Sequence, residues 1–205
     1  MRAESMTLAE APRGWEQDLA WRMAVAAPED TVRGTFFNGT LAAVRKLGDA
    51  EAVRSCQAAS GEEKFLDFFN YPLRAFLRLL ECAAHQLGAR WGGGEAVLRE
   101  LGRHVHSDFL ASPVGKTAVL LAYGSPRRML ETAPDIYRQS MSFGEQVVVW
   151  TGPRSGRFVL RGDFLPAVCH EGVLEALIQA AGGRRARVER EWANGLDGEY
   201  RFSWE

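Results

Sequence analysis

The sequence predicts an α+β fold: a helical N-terminal part packed on a mostly antiparallel sheet, with a C-terminal hairpin–helix–hairpin. Three observations carry this. Up to about residue 139 the apolar residues recur at helical spacing, as in Leu73, Phe76, Leu77, Leu80 and Ala84. From Ser140 the pattern changes, and "EQVVVW" and "RFVLR" flank the turn "TGPRSG". "ARVEREW" and "EYRFSWE" then flank Asn194-Gly195 and Asp197-Gly198, a second hairpin signal.

In chain order, residues 1–14 read as a flexible tail and residues 15–205 as a single α+β domain of a ligand-binding kind. Leu19, Trp21, Met23 and Val25 alternate, which predicts a strand, with the interspersed alanines leaving a helix open. Asn38 is placed to cap a helix carrying Leu41, Val44 and Leu47, and another helix runs through Ala52, Val53 and Cys56. Pro72 suits a first helical turn, and Gly88 is the expected stop. The next helix buries Val97, Leu98, Leu101, Val105 and Phe109. Further helices start at Pro113 and at Pro126, the latter running towards Tyr137. Pro166 opens a helix with Val173, Leu174, Leu177 and Ile178 inward, and Gly182-Gly183 ends it.

Bulk properties exclude several classes. Apolar residues are 46% and charged residues 25%, the balance of a globular protein, and the net charge is −1. No global charge draws the chain to nucleic acid, and no run reaches the ~20 apolar residues of a membrane span. Cys56, Cys82 and Cys169 form neither a disulfide framework nor a zinc pattern, which implies a reduced, cytoplasmic protein.

Four stretches invite chemistry. Gly115-Lys116-Thr117 ends like a phosphate loop, but the first glycine of that motif would fall at Leu110, and the preceding segment is helical. The stretch reads instead as a helix start, with Ser112 as cap, Pro113 in the first turn and Lys116 in solvent. His104 and His106 are two apart, so on a helix they cannot share one metal ion. Cys169-His170-Glu171 resembles a thiol nucleophile beside a base, and a helix N-terminus would lower the Cys169 pKa, but the expected role is a small buried cysteine. Phe65, Phe68, Phe69 and Tyr71 read as core or helix-docking aromatics. Asp67, Asp135 and Asp163 pair with no other carboxylate in sequence, and no acid/base set is expected.

The segments "TVRGTFFNGTLAAVRKLGD", "FLDFFNYPLRAFLRLLECAAHQLG", "WTGPRSGRFVLRGDFLPAVCHEGVLEALIQAAG" and "GEYRFSWE" resemble a large paralogous family of unknown function found in myxobacteria, over residues 17–205. More distantly, "VRGTFFNGTLAAVRKLGD", "YPLRAFLRLLECAAHQLG" and the C-terminal hairpins resemble haem nitric-oxide/oxygen-binding domains. Vinyl-reductase-like domains and TRAPP vesicle-tethering subunits share a related plan. The resemblance implies a pocket between helices and sheet. The haem family's axial histidine falls at about Tyr137, and its propionate clamp falls near Arg157 and Arg161 without its motif, so no cofactor is expected and haem is not expected to be retained.

Tyr137, Arg138 and Arg161 are therefore the candidate ligand-binding residues, with no catalytic or metal residue named. The expected function is a non-enzymatic cytoplasmic sensor or adaptor for a small ligand or a protein partner. The alternative is a homodimeric scaffolding module, and an enzyme using Cys169 or a cofactor ranks third.

Overall fold

The computed structural model describes residues 14–111 and 124–205, with side chains described up to Val105 in the first stretch. The tail expected over residues 1–14, apart from Gly14, and the helix start expected at Ser112–Lys116 lie outside the described residues, as do the His106 and Phe109 side chains. The described chain is α+β, as the sequence predicts.

The helical part begins with α1 (Trp15–Val25), where the sequence pattern pointed first to a strand. Strong helix formers outweigh the alternation, and Asp18 and Arg22 pair one turn apart at 2.8 Å. Leu19 and Arg22 share the buried side. A short β1 (Thr31–Arg33) leads into α2 (Gly34–Leu47), five residues earlier than an Asn38 cap would place it. Asn38 instead sits inside the helix and donates to the Phe65 carbonyl at 3.1 Å and to Asp67 Oδ1 at 2.7 Å.

Next, α3 (Ala50–Ser60) is capped by Asp49, whose carboxylate accepts from the Glu51 and Ala52 N–H groups. After α3, β2 (Asn70–Pro72) pairs antiparallel with β1. Phe65 stacks on Phe37 at 4.2 Å and Tyr71 packs edge-on to both, while Phe68 and Phe69 stay exposed. The aromatic run is thus split between core and surface.

α4 (Leu73–Trp91) passes Gly88 and stops at Gly92, whose φ of 82° gives the left-handed cap. α5 (Gly94–Ala111) buries Val97, Leu98, Leu101 and Val105 as expected. α6 (Pro126–Ser140) begins with a Ser125 cap and carries Pro134 inside it.

The second part is a sheet and its helix. β3 (Glu145–Gly152), β4 (Ser155–Arg161), β5 (Arg187–Asn194) and β6 (Asp197–Ser203) form an antiparallel sheet of order β3-β4-β6-β5. α7 (Ala167–Ala180) lies between the two hairpins in sequence, as predicted. The inner sheet face presents Phe158, Leu160, Val188, Tyr200 and Phe202 to α7 and to Met129 and Leu130 of α6. Burial of each such side chain contributes about 1.5–3 kcal/mol. Ion pairs cross the outer face over β4, β6 and β5: Arg157 reaches Glu191 and Glu199, and Arg201 reaches Glu189 and Glu191.

α5 and α7 meet through glycine. A Cβ on Gly102 would lie 2.2 Å from the Cys169 carbonyl, and one on Gly172 would lie 2.0 Å from the Arg99 carbonyl. Backbones therefore touch directly, and Arg99 and Arg103 of α5 clamp Glu175 of α7 beside the crossing. The helical core and the sheet core remain two separate apolar clusters. Their seam positions the site.

Candidate functional site

α6 faces the seam with Ala133, Ile136 and Tyr137, which the i, i+3, i+4 spacing puts on one side. β3 brings Gln146, β4 brings Phe158, and α7 brings His170, Leu174 and Leu177. Together with Phe36 of α2 these residues enclose a cavity of about 40 Å³. Nine of its twelve lining residues are apolar, and none is Arg or Lys.

The polar wall is a buried cluster. His170 is 3% exposed and Asp163 2%. The His170 Nε2–H donates to Asp163 Oδ1 at 3.1 Å, and the Leu165 N–H donates to the same oxygen at 2.7 Å. The backbone of Asp163 is fixed too. Its N–H donates to the Leu196 carbonyl at 2.7 Å, and its carbonyl accepts from Arg22 Nη1 at 2.9 Å. Arg22, itself buried, also bonds the Gly195 carbonyl, so α1 holds both the Asp163 loop and the β5–β6 turn.

Tyr137 completes the cluster. A Cβ on Gly144 (φ 75°) would lie 2.8 Å from its hydroxyl, so only glycine allows this approach. The Tyr137 hydroxyl and Asp163 Oδ2 are both buried without a hydrogen-bond partner of ordinary geometry. They are nevertheless close enough to act on each other. Burial and then the Asp163 charge push the Tyr137 phenol well above its usual pKa. Burial acts to raise Asp163, but His170, the Leu165 N–H and the Tyr137 hydroxyl outweigh it and hold the carboxyl below the usual range.

Of the sequence candidates, Tyr137 lines the cavity. Arg138 and Arg161 do not: Arg138 pairs with Asp135 at the surface, and Arg161 pairs with Asp197 at 3.2 Å. Asp163 and His170 were not among the candidates. The signal that finds them is the loop–Pro–helix order "DFLPAVCH", which turns His170 back onto Asp163.

Cys169 is the small buried cysteine that the sequence reading expected. Burial pushes its thiol up, with only Arg22 opposing, and its side chain does not line the cavity. Among the described residues no three His, Cys, Asp or Glu are placed to hold a metal ion. Nor is any described helix long and apolar enough to cross a membrane.

A helical layer, an antiparallel sheet and a cavity at their seam define the class of fold. Solved H-NOX structures share it. An Fe(II) unliganded H-NOX mutant from K. algicida is 17% identical, covers 84% of this chain and 96% of its own, and superposes with a TM-score of 0.64. An H-NOX protein from S. oneidensis in the Fe(II)NO state is 10% identical, covers 84% and 99%, and gives 0.68. An oxygen-binding H-NOX domain related to soluble guanylate cyclases is 11% identical, covers 84% and 95%, and gives 0.62. At these identities the likeness shows the fold alone. Residues 25–205 match the family described as protein of unknown function (DUF2378), and the chain belongs to it. No curated protein matches the sequence.

Proposed function

We propose that residues 15–205 work as one non-enzymatic sensor domain that binds a small, neutral, mainly apolar molecule at the seam and passes its state to a partner. The observation that carries this reading is the apolar cavity backed by the Tyr137–Asp163–His170 cluster. Electrostatics disfavours an anion, and the apolar lining disfavours any free charge. The lining offers no Arg or Lys for an anion, and the Asp163 carboxylate stands directly behind it. An apolar cavity of about 150 Å³ accepts a benzene-sized guest. One of about 40 Å³ takes a few heavy atoms before its walls must move. The cytoplasm suits three free cysteines.

Haem, which is bound in the H-NOX family, does not fit these residues. Cofactor-sized pockets occupy about 300–1,000 Å³. Tyrosine ligates haem iron in other folds, but the Tyr137 hydroxyl is turned to Gly144 and Asp163, and both its burial and that charge keep it protonated. The arginines nearest a propionate clamp, Arg157 and Arg161, are engaged with Glu191, Glu199 and Asp197 on the far face of the sheet.

The test is a haem titration followed by a melting screen. No Soret band should form with added haem. Small neutral apolar compounds should raise the melting temperature, and Ala133→Leu, which fills the cavity from α6, should abolish the rise. A stoichiometric haem complex, or a ligand response unaltered in Ala133→Leu, refutes the reading.

A further inference from the structure

The four-stranded sheet has two edges, and they are built differently. β5 carries Arg187, Glu189, Arg190 and Glu191, and its pairing with β6 shifts register between Arg190 and Trp192. Charge and a bulge are the usual guards against edge-to-edge association. β3 lacks both over most of its length. From Gln146 to Trp150 no residue is charged, and the register with β4 is regular up to Trp150. On its outer face Val147 is 52% and Val149 46% exposed. Among the described residues no strand pairs with that edge.

We propose that β3 is a homodimer contact, in which two copies pair antiparallel about a two-fold axis through Val148 and form one eight-stranded sheet. Self-complementarity identifies a second copy as the occupant. Opposite residues of an antiparallel pair share a face. An axis through Val148 therefore sets Val147 against Val149 of the second copy and keeps both helical layers on one side of the joined sheet. The exposed valines of both copies then cover each other. Glu145, the single ionisable residue of β3, falls opposite Thr151, so no like charges meet. A two-fold contact matches each edge to itself, donors against acceptors, without any further partner. β3 also supplies Gln146 to the cavity, so the two cavities flank the shared edge.

Sedimentation velocity over a wide concentration range tests this, using the full chain and the double variant Val147→Lys/Val149→Lys. Both valines are on the solvent face, and lysine is a natural edge guard. The wild type should sediment at twice the chain mass at high concentration. The lysine variant should remain monomeric with an unchanged far-UV circular dichroism spectrum. A monomeric wild type at every concentration, or a lysine variant that still dimerises, overturns the proposal. Should the lysine variant fold poorly, Val147→Cys/Val149→Cys in a Cys82→Ser background decides. Its opposed Cβ atoms would lie about 4.5–5.5 Å apart, so mild oxidation should give a cross-linked dimer on a non-reducing gel, and its absence refutes the register.

Discussion

Replacing Asp163 by alanine gives the most direct measure of the buried cluster. The carboxylate accepts from His170 and from the Leu165 N–H, and both donors are left unpaired when it is removed. Each stranded donor costs about 1–3 kcal/mol, so the two together cost about 2–6 kcal/mol. For a chain of this size about 1 kcal/mol lowers the melting temperature by roughly 2–4 °C. Asp163→Ala should therefore melt about 4–24 °C below wild type at pH 7. The pH dependence has a definite sign. The folded-state pKa of Asp163 is depressed, so its contribution is complete above the unfolded value of 3.8 and is lost as pH falls through the lower, folded value. The gap between the two proteins should thus narrow below pH 3.8. Urea unfolding followed by tryptophan fluorescence at several pH values measures both. A loss under about 1 kcal/mol at pH 7 would refute the view of Asp163 as a paired, buried charge.

Other outcomes follow from the same geometry. Tyr137→Phe removes a buried hydroxyl that lacks a well-formed bond, so urea unfolding should show a change within about 1 kcal/mol of zero. Gly172→Ala drives a methyl into the Arg99 carbonyl and should cost about 2 kcal/mol or more. Gly102→Ala, at the same crossing, should combine with it non-additively in a double-mutant cycle. In the native protein Ellman's reagent should titrate Cys82 alone, because Cys56 and Cys169 are buried with thiol pKa values pushed up by that burial.

Much of the fold was legible because its signals are local. The two C-terminal hairpins announce themselves through "TGPRSG" and "NGLDG", and α4 through one continuous apolar stripe. α1 was not, because Leu19, Trp21, Met23 and Val25 alternate by accident of composition while Arg22, a charged residue, takes a buried place. Besides Asp18, its partners are the Asp163 and Gly195 carbonyls, which lie more than 140 residues away. The site was half legible. Tyr137 follows from its helix and from the family resemblance, whereas Arg138, its neighbour, points about 100° away around the helix. Asp163 was read for a second carboxylate and has a histidine instead. Cys169 was read as a small buried cysteine and is one, with Gly102 bringing α5 against its backbone.

The walls of the cavity differ in what holds them. On one side α7 is pressed backbone to backbone onto α5 at two glycines and clamped through Glu175. On the other side α6 carries Pro134, which cannot donate to the preceding turn, between the cavity residues Ala133 and Ile136. One wall is thus fixed by backbone contact at two glycines, while the other is a helix short of one main-chain hydrogen bond.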